Sequence, residues 1–554
     1  MAINQAATRK KHYWVNDMTD INRILSIFSK AKADRQTLES RWRECFEYTD
    51  PIRGMGFVNS NQVPQSASDL ISGTTTKKSK IYDNTAIDSM RHLVSTILGG
   101  IAPSSQRWLD LDLSDDPEFR HPWLDEVADA IWGEIHKGNF DSVMFDALLT
   151  LVTIGWCVPY IYYDEGVYFN EWGASQCYLS SSKDGGLVDS IFREYSLTGD
   201  QAILEFGDEL PHDTKKMCLE GKHIRVLHSI RPRELSQYKD DDTNTKKFAK
   251  NMKFESCHIL LDGNKLLRES GYEEFPCAIP RWSSIAGTAY AVGAVHFALE
   301  DIKTLNAIAK MILDNADINI GGMWIASDDG VLNTSSITIG SRKVVIAAST
   351  DSLKPLQTPS NFNLGYQELQ DLRAQVRKTL LVDNLQIPQN PQMTATEINV
   401  RMEMARQILA PIFGRFQSEF LQPVVYRVFG LLLRNGKLPP APEEIKGKSL
   451  NIRYVSPLAR TQRMSEVVGM DRFEADLLNQ SQLKPDLLDL YDFDQAKREK
   501  SWLLGVRQSL LFKPEQVKKT REDRAKAQQK AQQNAQNQEM TAAAMPEVAK
   551  KMVQ

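Results

Sequence analysis

Apolar residues return every three or four positions between 20 and 50. Ile24, Ile27 and Phe28 are followed by Leu38, Trp42 and Cys45, a spacing that predicts a helix. The same period predicts a helix over 84–99 (Ile87, Met90, Leu93, Val94, Ile97), stopped by Gly99-Gly100 and Pro103. A third helix is expected over 123–154, with Trp123, Val127, Ile131 and Ile135 on one face. From 156 to about 280 the pattern shortens to strands. Trp156–Tyr163 and Val167–Trp172 flank Asp164-Glu165-Gly166 and predict a β-hairpin. A short helix is expected at Thr198–Phe206, while Asp184-Gly185-Gly186 and Lys239-Asp240-Asp241-Asp242 read as solvated turns.

The second half changes character. From Ala289 to about Asp314, Val292, Val295, Leu299, Ile302, Asn306, Ala309 and Leu313 alternate steps of three and four, giving a narrow apolar seam on a long helix. Glu300, Lys303, Lys310 and Asp314 form a second, charged face. Short strands are expected at Met323–Ala326, Ser336–Ile339 and Lys343–Ala347, then a helix over 363–382 and a loop from Leu385 to Met393 broken by Pro388 and Pro391. Thr394-Ala395-Thr396-Glu397 has capping-box form and opens a helix that Pro411 and Pro423 should bend and Gly436 should end. A strand, Ser449–Val455, follows. After Pro457 the chain reads helical to Lys530, with a Gln/Ala-rich tail from about Ala525.

This alternation of helical and strand-rich stretches makes the fold class α+β. The 554 residues give a prior of about three or four domains. Hydrophobic residues at 42% and charged residues at 25% exclude a mostly disordered chain. A net charge of −4 excludes a protein that coats nucleic acid by charge alone. The six cysteines lack C-x-x-C spacing and are too sparse for a disulfide framework, so a reducing cytoplasm is expected. No apolar h-region follows the basic N-terminus, and the longest apolar run, Ala147 to Tyr163, is too short for a membrane helix; a soluble chain is expected.

Motifs for chemistry are sought and not found. Gly447-Lys448-Ser449 ends like a phosphate-binding loop, but Pro442 occupies the required first glycine position. Gly54-Met55-Gly56 is followed by Asn59 where a dinucleotide fingerprint needs glycine. Gly173-Ala174-Ser175-Gln176-Cys177 lacks the last glycine of a nucleophile elbow and reads as a turn after the hairpin. The nine histidines show no metal-ligand spacing, and no stretch interleaves aromatic residues with Lys/Arg. No catalytic, cofactor or metal site is expected, and the chain is not read as an enzyme.

Several segments taken together are nonetheless specific. Ile81-Tyr82-Asp83-Asn84-Thr85-Ala86 leads to Ile101-Ala102-Pro103-Ser104-Ser105 and Arg107-Trp108. Asp184-Gly185-Gly186, Arg193-Glu194-Tyr195 and Pro280-Arg281-Trp282 then precede Leu299-Glu300-Asp301-Ile302-Lys303-Thr304-Leu305-Asn306. Met393-Thr394-Ala395-Thr396-Glu397, Gly436-Lys437-Leu438-Pro439 and Tyr454-Val455-Ser456-Pro457-Leu458-Ala459 complete the set. In order and spacing, over about residues 20–465, this resembles the portal, or head-to-tail connector, proteins of short-tailed, T7-like bacteriophages.

The resemblance implies a multidomain portal fold with long stem helices, a β-rich wing and clip and a helical C-terminal crown. Carried over, the wing is 1–288, stem helix one 289–318, the clip 319–362 and stem helix two 363–384. The channel loop is 385–395, a long kinked helix and returning wing strand occupy 396–456, the crown 457–530, and a low-complexity tail 531–554. It further implies a ring, usually of twelve copies, at one capsid vertex, passing double-stranded DNA without sequence preference. The implied partners are the terminase large subunit, the major capsid and scaffolding proteins and tail adaptor or nozzle proteins, with no membrane. The site would be the virion head-tail junction, reached from the host cytoplasm during assembly. At −4 per chain, twelve copies carry −48, which favours passage of DNA over clamping it. The channel residues implied are Gln386, Gln389, Asn390, Gln392 and Met393, with Lys303 and Lys310 as phosphate contacts. Val292, Val295, Leu299, Ile302 and Leu313 are the expected stem or oligomer packing. The alternatives are another structural virion protein, such as a tail-tube or internal core component, and an enzyme of DNA packaging.

Overall fold

The computed structural model describes residues 17–57, 80–113, 121–183, 186–233, 252–321, 324–326, 353–355, 362–385, 412–531 and 533, less short gaps at 449, 455–456, 483, 505, 507–509 and 513–515. These residues divide into two compact units: 1–106 with 131–437, and 107–130 with 438–554.

In the first unit the α1 helix (Asp17–Thr49) carries the expected seam. A single turn, Pro51–Gly54, follows it, then α2 (Thr85–Ile101). The glycine pair does not stop α2, which runs two residues further. The helix expected over 123–154 is two helices, Pro122–Lys137 and α3 (Phe140–Ile154). The break has a reason: the Asn139 side chain leaves the helix to bond the backbone of Phe169, accepting from its N–H and donating to its C=O at 2.8 Å each.

The predicted hairpin is present as β1 (Pro159–Tyr163) and β2 (Val167–Glu171). Strands β3 (Cys177–Ser180), β4 (Ser190–Leu197), β5 (Ile224–Pro232), β6 (Phe254–Leu260) and β7 (Lys265–Tyr272) make an antiparallel meander in chain order. Between β4 and β5 lie α4 (Gly199–Phe206), capped by Thr198 and Gln201, and an unforeseen α5 (His212–Leu219). Strand alternation then sorts the core. On one face Tyr178, Phe192, Leu227, Cys257 and Ile259 pack under Ile21, Ile24, Phe28 and Ala31 of α1. On the other face Tyr195, Val226 and Leu260 pack under Ala202 and Phe206 of α4. Trp42, Trp156 and Tyr290 anchor a third cluster, their rings 5.2–5.5 Å apart.

The long helix expected from 289 begins later and ends later, as α6 (Ala294–Gly321). Residues Ala291–Val292 are instead a short strand paired with Ser283–Ser284. A close backbone approach causes the delay. Gly155, with φ +99°, and Gly293 meet where a Cβ on either would overlap the backbone of the other's segment. The second long helix, α7 (Phe362–Thr379), is followed by Leu381, whose φ of 62° breaks the helical path before the turn Val382–Leu385. Trp324–Ala326 pairs with Leu353–Pro355. The expected strands at 336–339 and 343–347 and the capping box at 394–397 lie outside the described residues.

A five-residue π-turn, Gln417–Leu421, interrupts the regular helical hydrogen bonding just before Pro423, which stands at the start of α8 (Gln422–Arg434). Gly436, with φ +64°, ends α8: the N–H of Lys437 reaches the Leu432 carbonyl and that of Gly436 the Leu433 carbonyl.

In the second unit the foreseen strand Leu450–Tyr454 pairs antiparallel with Leu109–Leu113, which the sequence reading left unassigned. Trp108 stacks on Tyr454, 6.4 Å between centroids, and Arg107 binds Asp110, Asp125 and Asp129. Helices Pro457–Ser481 and Phe493–Leu503 follow.

Candidate functional site

The candidate surface is built on α6 and α7, which pack against each other. Along the first half of α6, Val295, Ala298, Leu299, Ile302, Leu305 and Ala309 are buried against their own chain, where α6 meets α1, α3 and α7. Each such Leu or Ile contributes about 1.5–3 kcal/mol by burial. This seam therefore fastens the helix to its own subunit. Val292, expected at the start of the seam, lies half-buried in the short strand before the helix.

A polar residue interrupts the seam. Asn306 is 2% exposed; its carbonyl oxygen accepts from the backbone N–H of Tyr82 (2.7 Å) and Asp83 (3.1 Å), and its amide donates to the Ile302 carbonyl. Asp83 in turn accepts from the N–H of Thr85 (2.9 Å), at the start of α2, and from Nε and Nη2 of Arg373 on α7 (2.9 and 2.7 Å). Burial pushes the Asp83 carboxyl up, but the Thr85 bonds and the Arg373 guanidinium outweigh it and hold the group below its ordinary value. One node thus ties α2, α6 and α7 together.

A second anchor lies on the returning helix. Glu419, aimed inward by the π-turn, accepts from the backbone N–H of Arg281 (3.0 Å) and from its Nε (3.1 Å) and Nη2 (2.7 Å), both side chains being buried. Arg415 donates to the Trp282 carbonyl.

The charged face of α6 is partly spoken for. Lys303 binds Glu44 at 2.8 Å and Glu300 at 3.5 Å, and Arg41 binds Glu300 at 2.8 Å and Glu44 at 3.3 Å, a network joining α1 to α6. The bond to Glu44 holds the Lys303 ammonium above its usual range, and Lys303, with Arg41, holds Glu44 below its own. Lys310 is exposed, its ammonium 5.9 Å from the Tyr82 ring centre.

Beyond Ala309 the helix opens. Met311 (67% exposed) and Leu313 (55%) face outward, as does Tyr366 of α7; Phe297, off the seam in the first half, is exposed too. Of the expected channel residues, Gln386, Gln389, Asn390, Gln392 and Met393 lie outside the described residues.

Two segments that come near a chemical motif in sequence are local turns. Gly173–Cys177 is a turn, with Arg35 donating to the carbonyls of Ala174, Ser175 and Cys177. Gly447, with φ +78°, is a turn before a strand. Among the described residues no group of three or more His, Cys, Asp or Glu is placed to hold a metal, and no helix is long and apolar enough to cross a membrane. All six cysteines are buried and unpaired.

Asp83 and Arg281 sit in segments the sequence reading had singled out, without a role for either. Arg373 and Glu419 carried no local signal. Asn306 did: an amide on an otherwise apolar seam marks a buried hydrogen-bond hub.

Residues 22–511 match the family described as bacteriophage head to tail connecting protein. The chain is 26% identical over 536 residues to the "Probable portal protein" of Bordetella phage BPP-1, covering 94% of each chain. It is 27% identical over 537 residues to the "Portal protein" of Salmonella phage epsilon15, again covering 94% of each. Among solved structures, a chain in "Neck of empty GTA particle computed with C6 symmetry" aligns with TM-score 0.34 at 11% identity, over 75% of this chain and 94% of that one.

Proposed function

The chain belongs to the bacteriophage head-to-tail connecting proteins, and from that membership we propose that it is the portal of a short-tailed phage, twelve copies closing a ring at one capsid vertex. Double-stranded DNA passes through the ring, driven in by the terminase large subunit and later ejected. The ring also meets capsid and scaffolding proteins during assembly in the host cytoplasm, and holds tail adaptor or nozzle proteins at the virion head-tail junction. In this reading α6 and α7 are the stem, residues 319–362 the clip, 385–395 the channel loop, 457–530 the crown, and residues up to 288 with 396–456 the wing. The protein does no chemistry of its own; the motor supplies the work.

The observation that supports this best is the division of α6. The apolar seam of its first half is consumed by its own subunit. Its second half, with Tyr366 of α7, carries exposed Met311 and Leu313. A closed ring needs a heterologous interface, one patch meeting a different one on the next copy, and exposed apolar residues on a firmly anchored helix suit that need. Lys310, exposed and without a carboxylate partner among the described residues, is the better candidate for phosphate contact; Lys303 is engaged by Glu44. Negative-stain imaging of the purified full-length protein tests the reading. Rings with a central hole are expected; featureless single-subunit particles at every concentration would overturn it.

A further inference from the structure

The sheet's second face is closed at both ends and open in the middle. Between the two apolar clusters an open cavity of about 630 Å³ lies over the strands, within the size range of ligand pockets. Its floor is one cross-strand row. The register sets Arg193 of β4 opposite His228 of β5, His228 opposite His258 of β6, and His258 opposite Arg268 of β7. The imidazoles stack with centroids 4.0 Å apart. His228 shares a 2.8 Å hydrogen bond with Ser256, and the Nδ1 of His258 is buried with no partner. Burial, and the charges of Arg193 and Arg268, favour both rings in the neutral form. Two guanidiniums flanking a pair of neutral imidazoles make a surface suited to negative charge.

The negative charge present is sparse. Arg268 has Glu209 at 2.8 Å. Arg193 has only the side-chain oxygen of Gln176, 3.2 Å from its Nε, and no carboxylate in ion-pair range among the described residues. Glu205, in the wall, is near Tyr195 at 3.5 Å, and burial raises its pKa. The Arg193 guanidinium is also pre-oriented, 4.8 Å from the Trp172 ring centre and 4.7 Å from that of Tyr195. Trp172 continues into a stack with Tyr160 (4.5 Å) and Tyr162 (5.9 Å). These rings spend their faces on one another, and the Tyr160 hydroxyl is shared with that of Tyr272 at 3.1 Å. With its Nε on Gln176 and two rings against it, Arg193 has its two terminal NH2 groups left for a planar acceptor such as a carboxylate. Asn170, also in the lining, can pair with a peptide N–H and C=O together, while Gln176 and Gln201, whose oxygens already accept from Arg193 and from the Thr198 N–H, keep their amide N–H groups as donors.

We propose that this cavity receives an acidic peptide segment of another protein, with an Asp or Glu carboxylate on Arg193 and the peptide backbone on the amide side chains of the wall. The proposal does not depend on ring formation.

Calorimetric titration of the full-length protein with acetyl-Glu-Glu-Glu-Glu-amide, against the all-Gln peptide, tests it. Saturable binding of the Glu peptide, at least about tenfold tighter than the Gln peptide, is expected, falling about tenfold in Arg193→Gln and holding in Arg225→Gln, a strand arginine outside the cavity. Asn170→Asp adds charge at an exposed wall position and disturbs no packing, so it serves even if the Arg193 variant misfolds; about fivefold weaker Glu-peptide binding is expected. Equal binding of the two peptides, no saturation, or full affinity in Asn170→Asp would overturn the proposal. Displacement of the peptide by an equal concentration of acetate would overturn the peptide assignment in favour of a free small acid.

Discussion

The two halves of α6 are made of similar residues used differently. Up to Ala309 the apolar seam is covered by α1, α3 and α7, and its buried amide, Asn306, is bonded through both oxygen and nitrogen. Past that point Met311 and Leu313, no less apolar than Leu299 and Ile302, are left in the open. The contrast shows that apolar periodicity alone does not tell a core contact from an assembly contact. Anchorage and exposure separate them: the first half makes the helix rigid, and rigidity makes the second half's exposed residues useful for docking, because little order must be gained on binding.

The largest effect on the subunit should come from charge in the covered half. Ile302→Asp buries an unpaired carboxylate and should cost at least about 4 kcal/mol, read as loss of the cooperative melting transition. Leu313→Asp should leave that transition within about 0.5 kcal/mol of wild type yet abolish assembly. If both variants lose folding, or neither loses assembly, the contrast is wrong.

Next comes acid. His258, whose pKa burial lowers to about 4, must stay neutral in the fold while it charges freely near 6.5 when unfolded. Its contribution, on the order of 3 kcal/mol, is therefore complete above pH 6.5 and lost as pH falls toward 4. Asp83, held low, contributes above its unfolded value of 3.8 and loses that contribution below it. Acid unfolding followed at α6 and at the sheet should thus show the sheet failing first. Asp83→Asn, which leaves Arg373 with a weaker partner, should cost about 2–3 kcal/mol and flatten the low-pH limb alone. The smallest effect is Lys303→Met: about 1 kcal/mol or less, vanishing in high salt, since its network is partly exposed.

Much of this layout was legible. The hairpin was readable because alternation met a three-residue turn at 164–166, and the end of α8 because Gly436 supplies a left-handed φ. Leu109–Leu113 alternates just as clearly, but its partner strand is more than three hundred residues away, so nothing local shows that it pairs. The start of α6 was misplaced because Gly155 and Gly293 matter only once they meet. The site was half-legible for the same reason. Asn306 stood out on its seam; Arg373 and Glu419, and the Glu44 that takes up Lys303, are recognisable only in three dimensions. Alternation did put Arg193 and Tyr195 on one face, with Glu194 on the other, yet no strand reveals that two histidines join them across the sheet.

The particle mass of the purified full-length protein tests the ring most directly. Mass photometry should find a discrete species near twelve times 62.8 kDa, about 750 kDa, in wild type and in Lys303→Met but not in Leu313→Asp. A single species at 62.8 kDa across the concentration range would contradict the account.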